Sequence, residues 1–348
     1  MFDTGSPFEY RAMQVGCLVS QRLRQRYSGR VHAVFNSTFY VEVGSQLICL
    51  GSQKMTCGPL NIVTSAPTNT NWCSSGVYVG AAASLSPSRI RIANLLGFEI
   101  SDCPVWSPRN VSGSIDPGDV ERGLARFRKL AIPAGPQQGM SRFLNPEYSP
   151  GGGDIVGHAA LQPVADARSW LLDAMNHNHL REIGDPIWME RLVGLGPGLT
   201  PSGDDFVGGL MIGLHVLGET SVQSALWHAV RRLGPQDNAI SLAHLEAAAH
   251  GLGSEDIHSA VSAIIFNNGA EVQAAISDIA DIGACSGWDI MTGVATVIEC
   301  WLDTRSGERQ FKGTKGTKGT VDAANDARLS RYGHGSTSSC GACRASCA

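Results

Sequence analysis

Residues 194–210, GLGPGLTPSGDDFVGGL, decide how the second half of the chain is interpreted. The stretch holds six glycines and two prolines, and two adjacent aspartates stand where an apolar run begins. Thr200 and Pro201 predict a helix start, with Thr200 as the N-cap and Pro201, which has no amide hydrogen, as the first helical residue. The sequence therefore predicts a glycine-rich turn that leads directly into a buried helix.

Two familiar nucleotide-binding loops do not fit this turn. A P-loop needs a Lys followed by Ser or Thr after its last glycine, and no Lys lies within residues 194–210. A dinucleotide-binding turn needs a glycine where this sequence has Leu199. We interpret the turn instead as a concavity in which backbone amides at the helix start accept an anion.

A second stretch repeats this helix entrance. Residues 286–293, SGWDIMTG, share with residues 202–209, SGDDFVGG, the pattern Ser-Gly-x-Asp, two apolar residues, any residue and Gly. The repeat predicts two helix N-termini that face one pocket. The alternatives are a chance match of a short pattern, and glycines that only pack beside acids that complement a helix dipole.

The two helix entrances supply the candidate site residues. Their amides would hold an anion or the oxygen of a reacting carbonyl, and their carboxylates would hold the NH₂ donors of an amide or a Mg²⁺ ion. Mg²⁺ is the one cofactor considered, with Asp204 and Asp205 as its ligands. The catalytic candidates are Asp204, Asp205 and Asp289. The candidates for binding substrate or anion are Gly196, Gly198, Thr200, Ser202, Gly203, Ser286 and Gly287.

The first third of the chain is predicted to be β-structure, because its segments are rich in β-branched and aromatic residues. Gly44 suits the first central position of a type II′ hairpin between Thr38–Val43 and residues 46–50. The other predicted strands are residues 30–35, 60–64, 76–80 and 89–92.

The predicted fold class is α+β, with a β-rich N-terminal domain (1–131) followed by a mainly helical C-terminal domain (158–305). Pro and Gly accumulate between them and predict a connection at 132–157. In the C-terminal domain apolar residues recur at three- and four-residue spacing, which is typical of helices. Residues 306–348 repeat Lys-Gly-Thr and contain little apolar sequence, which predicts a disordered tail.

Composition excludes several classes of partner. The formal charge of −4 over 348 residues gives no reason to expect nucleic acid or an anionic membrane. The N-terminal stretch lacks the basic and apolar regions of a signal peptide, and no apolar run approaches the roughly 20 residues that span a bilayer. Cysteines outside the tail are scattered singly, which fits a reducing compartment. We therefore expect a cytoplasmic protein with a small-molecule substrate, and no nucleic-acid or membrane partner.

Several motifs together resemble one known family, the AllH-type subunit of oxamate carbamoyltransferase. Beside GLGPGLTPSGDD, they are NAISLAHLEAAAHG at 238–251, IGACSGWD at 282–289, GRVHAVF at 29–35 and CGPLNI at 57–62. The resemblance covers about residues 10–303. It implies phosphorolysis of oxalurate to oxamate and carbamoyl phosphate, in the breakdown of allantoin and purine nitrogen. It also implies other carbamoyltransferase subunits as partners, in a complex of three different subunits, and it assigns no catalytic residue.

The substrate that the resemblance implies would require further side chains, one to bind its carboxylate and one to transfer a proton. An arginine would hold the carboxylate of oxamate, and a histidine would serve as general base near neutral pH. The arginine candidates are Arg30, Arg142 and Arg191, each of which also fits a solvated surface residue. The histidine candidates are His32, His158 and His250, among which the sequence favours none.

Other functions remain open from the sequence alone. The chain would fit a non-catalytic assembly subunit or a small-anion-binding subunit, in which case the pocket would turn over nothing. It would also fit a stand-alone Mg²⁺-dependent enzyme that acts on a small amide or ureido acid.

Overall fold

The computed structural model describes residues 8–109, 113–136, 138–151, 154–176, 184–233 and 238–313, with side chains up to residue 306. Over these ranges a β-region at 8–106 is followed by a helical region from residue 117 onward, so the predicted α+β class is confirmed. The predicted domain boundaries stay predictions. Most of the predicted tail lies outside the described residues, although the last helix reaches Gly313.

The described strands are β1 Phe8–Gly16, β2 Tyr27–Val34, β3 Thr38–Val43, β4 Gln46–Gly51, β5 Asn61–Thr64, β6 Ala82–Ser86, β7 Arg89–Ile92, β8 Leu96–Glu99 and β9 Val105–Trp106. They form a single sheet in the order β5-β4-β3-β2-β6-β7-β8-β1-β9. Strand β1 pairs in parallel with β8 and antiparallel with β5, so the sheet closes on itself as a barrel, and β9 pairs with the end of β1.

Strands β3 and β4 form the hairpin that the sequence predicts. Val43 pairs with Gln46, which leaves Gly44 as the first residue of a two-residue connection, and Gly44 has a φ of +63°. Buried residues alternate along β3 because one face of the strand points into the barrel. On that face Phe39 packs edge-on against Trp72, with ring centroids 5.0 Å apart.

One predicted strand is absent from the structure, and four observed strands, β1, β6, β8 and β9, were not predicted. The strand predicted at 76–80 is wrong, because the chain turns there and Gly76 and Gly80 have φ values of +85° and +88°. The longest of the four is β1. Its burial does not alternate, and its register with β5 shifts between Ala12 and Gln14.

The described helices are α1 Cys17–Arg22, within the β-region, α2 Pro117–Ala134, α3 Ile155–Asn176, α4 Ser202–Val216, α5 Thr220–Arg232, α6 Ala239–Ala249, α7 Glu255–Ile265, α8 Gly269–Ala280 and α9 Ser286–Gly313. The helical region begins earlier than the predicted connection at 132–157, since α2 starts at Pro117. Helix α2 packs on α7 so closely that a Cβ at Gly123 would lie 1.9 Å from the Ile264 carbonyl oxygen. No helix in the described ranges is long and apolar enough to cross a membrane.

Helix α4 lies at the centre of this region, and its residues are buried from Ser202 through Leu214. Its start differs from the prediction by one position, since Pro201 occupies the N-cap and no side chain caps the helix. Thr200 is therefore not the N-cap. Its hydroxyl instead lies 2.9 Å from that of Ser286 at the start of α9.

Helices α4 and α9 cross through the glycines of the sequence repeat. A Cβ at Gly209 would lie 1.9 Å from the Ile290 carbonyl oxygen, and a Cβ at Gly293 would lie 2.1 Å from the Phe206 carbonyl oxygen. Each glycine thus admits the backbone of the other helix. The repeated pattern places the two helix entrances side by side.

Barrel and helices belong to one compact unit and are joined by direct bonds. The Glu255 amide at the start of α7 donates to the Cys57 carbonyl oxygen of the barrel at 2.8 Å. Tyr40 on β3 lies with its hydroxyl 3.4 Å from His244 Nε2 on α6. A cleft remains between these two contacts.

We predict that Gly293→Ala lowers the free energy of unfolding by about 3 kcal/mol, because the added methyl group collides with helix backbone that cannot move aside. Urea unfolding measures the change. The matched control is Gly151→Ala, where a Cβ meets nothing within 4 Å and the change should stay within about 0.5 kcal/mol. Equal stability of the two variants would contradict the close helix crossing.

Candidate functional site

A cavity of about 850 Å³ lies between the barrel and the helices. The barrel contributes side chains from β3 and β4 and from the connection that precedes β5. The helical region contributes the starts of α4, α7 and α9, one face of α6 and the end of α8. Residues from both helix entrances of the sequence repeat, 202–209 and 286–293, therefore line this one cavity.

The structure divides the predicted site residues into two groups. Thr200, Asp204, Asp205 and Ser286 line the cavity. The others are not part of its lining: Gly196, Gly198, Ser202, Gly203, Gly287 and Asp289. The two helix entrances nevertheless meet, through the Thr200–Ser286 hydroxyl pair at 2.9 Å and through Ser202 Oγ, which lies 3.8 Å from Cys285 Sγ.

The two equivalent glycines of the repeat have packing roles. The Gly203 amide donates to the Leu195 carbonyl oxygen at 2.9 Å, and the Gly287 amide donates to the Ile282 carbonyl oxygen at 3.1 Å. A Cβ at Gly203 would lie 1.8 Å from a carbonyl oxygen, so a side chain cannot fit there. The Gly203 amide is thus not free for a ligand in this conformation.

The turn before α4 retains unsatisfied amides. Gly196 and Gly198 have φ values of +114° and +99°, a conformation that favours glycine. Within the described part of the chain, their amides and that of Ser202 make no hydrogen bond. The predicted anion-accepting concavity would rest on these three amides, and its function stays a prediction.

Asp204 is buried and fully bonded. One carboxylate oxygen accepts from the Gly194 amide at 2.6 Å, and the other accepts from the Ser241 hydroxyl of α6. Burial raises the pKa of this carboxyl group, and the two hydrogen bonds oppose that rise. Asp204 therefore joins the glycine-rich turn to α6, whatever else it binds.

Asp205 differs from its neighbour because one of its oxygens has no partner. The residue is 7% exposed, and Oδ2 is buried without a hydrogen bond. Burial raises its pKa well above 3.8; the hydroxyls of Ser286 and Thr200 oppose the rise, and the charge of Asp289 adds to it. A buried acceptor without a donor costs about 1–3 kcal/mol, so a ligand with N–H groups would relieve this cost.

Asp289 occupies the matching position on α9 but is turned away from the cavity. It is fully buried, and its Oδ1 accepts from the Met140 amide at 2.6 Å, which holds the turn before the short 3₁₀ helix Ser141–Leu144. Burial raises its pKa to about 6. Its Oδ2, like that of Asp205, is buried without a hydrogen bond, but Asp289 does not line the cavity. Its predicted catalytic role stays a prediction.

Most of the cavity lining consists of residues that the sequence analysis did not select. Among them, Tyr40 and His244 approach each other from the barrel and from α6. Burial lowers the pKa of His244 to about 4, so the imidazole is neutral at pH 7. The signal was present in the block NAISLAHLEAAAHG, where Ser241 and His244 stand three residues apart on one helix face.

The arginine and histidine candidates lie elsewhere, and none belongs to the cavity lining. Arg142 pairs with Asp154 at 2.5 Å, and Arg191 ends the 3₁₀ helix Ile187–Arg191. The remaining candidates are Arg30 on β2, His32 at 3.8 Å from Glu42, His158 bonded to the Gly151 carbonyl oxygen, and His250 just after α6.

The described lining of the cavity is strongly acidic. Lys54 is its one cationic side chain. The carboxylates are Asp204, Asp205, Glu255, Asp256, Asp278 and Asp281. No three His, Cys, Asp or Glu side chains among the described residues are placed to hold a metal ion together. The lining therefore favours ligands that donate N–H groups.

We predict that Asp289→Asn becomes more stable relative to the wild type as pH rises from about 4 to about 6. In this range the folded wild type keeps a proton that its unfolded chain releases, so wild-type stability falls. The difference approaches about 3 kcal/mol and is constant above pH 6. Urea unfolding at several pH values measures it. Asp102→Asn, in an exposed loop, is the control. If the difference in free energy of unfolding between Asp289→Asn and the wild type were the same at every pH, it would contradict the burial of this carboxylate.

Comparison with known proteins identifies the family. A family model described as oxamate carbamoyltransferase subunit AllH matches residues 192–298, and a model of the AllH family N-terminal domain matches residues 11–105. No solved structure matches the chain. The two matched segments contain the walls of the cavity on its helical and barrel sides. The chain therefore belongs to the AllH family of oxamate carbamoyltransferase subunits.

Proposed function

We propose that this chain is the subunit of a cytoplasmic carbamoyltransferase that binds the carbamoyl end of oxalurate in the cavity. The enzyme would convert oxalurate and phosphate to oxamate and carbamoyl phosphate, as a step in the breakdown of allantoin and purine nitrogen. The family match supports a role in an oxamate carbamoyltransferase. The assignment of the carbamoyl end to this cavity rests on Asp205.

Asp205 Oδ2 is the observation that carries the proposal. It is a buried acceptor without a donor, and it belongs to a residue that lines the cavity. The carbamoyl group of oxalurate ends in an NH₂, which donates two hydrogen bonds. Asp204 has no such vacancy, because both of its oxygens already accept hydrogen bonds. Asp205 is therefore the group that we assign to the substrate NH₂.

The unpaired Oδ2 of Asp205 favours a substrate amide over Mg²⁺ as the ligand of this carboxylate. One unpaired carboxylate oxygen on Asp205 satisfies one N–H donor, whereas Asp204, the other predicted Mg²⁺ ligand, already has both of its oxygens hydrogen-bonded. Mg²⁺ at Asp204 and Asp205 stays a weaker alternative within this proposal.

The proposed reaction is a substitution at the carbamoyl carbon. An oxygen of phosphate attacks this carbon, and the bond from the carbon to the oxamate nitrogen breaks. The proton that phosphate gives up is taken by that nitrogen, so oxamate leaves as a neutral amide with its carboxylate unchanged. A hydrogen bond from the substrate NH₂ to Asp205 fixes the plane of the carbamoyl group, which positions the carbon for attack.

We predict that Asp205→Asn lowers kcat/KM for oxalurate about 10- to 100-fold in the assembled enzyme, which corresponds to the loss of one charged hydrogen bond. The assay follows carbamoyl phosphate formed from oxalurate and phosphate. The substitution keeps the shape of the side chain and removes a carboxyl group whose pKa burial raises, so the variant should assemble and should melt no lower than the wild type.

Asp102→Asn serves as the control for this assay, since Asp102 lies in an exposed loop away from the cavity lining. An Asp205→Asn enzyme with full activity would contradict the proposed site. That outcome would favour a non-catalytic assembly subunit instead.

A further inference from the structure

Four carboxylates form an acidic mouth at one side of the cavity. We use this name for Glu255 and Asp256 at the start of α7 and for Asp278 and Asp281 at the end of α8. None of the four makes an ion pair within the described part of the chain. Glu255, Asp278 and Asp281 are exposed and Asp256 is half-buried, so the mouth opens to solvent.

The carboxylates of the mouth repel one another. Burial raises the pKa of Asp256, the Thr56 hydroxyl opposes the rise, and the charges of Asp278, Glu255 and Asp281 add to it. Like charges that are held together in this way lower stability unless a cation joins them. The fold therefore maintains a concentration of negative charge that no described residue neutralises.

A second, independent observation indicates that this cavity takes a ligand. Asp205, which lines the same cavity, is 7% exposed and has a buried oxygen without a partner. The carboxylates do not converge as ligands of a metal ion. The missing counter-charge is therefore spread over several points, as it is on a protein segment that carries arginine or lysine side chains.

The anionic substrates of the proposed reaction also require cations for their binding. This step of the inference rests on the proposed function. Oxalurate and phosphate are both anions, yet Lys54 is the one cation in the described lining. The three candidate arginines all lie outside it. The cavity of this subunit thus holds the N–H end of the substrate without the cations that its anionic end requires.

We propose that the acidic mouth docks a basic segment of another subunit of the carbamoyltransferase. An arginine or lysine of that segment would enter the cavity and hold the anionic end of the substrate. Charge complementarity would steer the two subunits together and set their relative position. The active site would then be complete only in the assembled enzyme.

Association kinetics with the companion subunits test this proposal directly. We expect the double variant Glu255→Gln/Asp256→Asn to associate about tenfold more slowly at low salt and to depend less on salt, as is usual when interfacial charges are removed. The control is Glu121→Gln/Glu147→Gln, which removes two exposed charges away from the mouth. Unchanged association of the mouth variant would overturn the proposal.

Hydrogen exchange on the wild-type chain provides a test that does not depend on a variant. Amides at 253–258 and 278–283 should exchange at least about tenfold more slowly when the companion subunits bind. Unchanged exchange there would overturn the proposal. So would equal protection by Mg²⁺ alone, or by self-association of this chain without companions.

The outcomes separate this inference from the proposed function. If the mouth variant assembles slowly but the wild-type complex transfers no carbamoyl group, the docking surface stands and the reaction is wrong. If Asp205→Asn loses activity while the mouth variant assembles normally, the reaction stands and the docking surface is wrong.

Discussion

The crossing of α4 and α9 is the constraint on which the site depends. Gly209 and Gly293 each admit the backbone of the opposite helix, which no residue with a Cβ would allow. This contact fixes the two helix starts side by side, so that Thr200 and Ser286 share a hydrogen bond at the cavity wall. The glycine-rich turn, the aspartates and the cavity all follow from the position of that crossing.

Close packing of the two helices also buries two carboxyl groups at this site. The crossing buries Asp205 and Asp289 near one another, and burial raises the pKa of both. Asp289 accepts a hydrogen bond from the Met140 amide through Oδ1, and each of the two residues keeps a buried Oδ2 without a partner. The equivalent positions of the repeat differ in their surroundings, because Asp205 lines the cavity and Asp289 does not.

The sequence predicted those features that depend on local chemistry. The β3–β4 hairpin follows from Gly44 and the alternating pattern, and the helix entrances follow from the Ser-Gly-x-Asp repeat. Features set by distant contacts were missed. Strand β1 pairs with β5 and β8 far along the chain, and its irregular burial gives no periodic signal. Tyr40 and His244 are 204 residues apart and meet only in the folded chain. The repeat predicted that the two helix starts share a pocket, but it could not tell that Asp289 faces Met140 instead.

A structure of the assembled enzyme with carbamoyl phosphate bound would test the central claim most directly. Carbamoyl phosphate carries the NH₂ of the transferred carbamoyl group, which is the group that we assign to Asp205. The account predicts that this nitrogen lies about 2.7–3.2 Å from Asp205 Oδ2, which is ordinary hydrogen-bond distance. Carbamoyl phosphate bound elsewhere, with Asp205 Oδ2 still unpaired beside an empty cavity, would contradict the account.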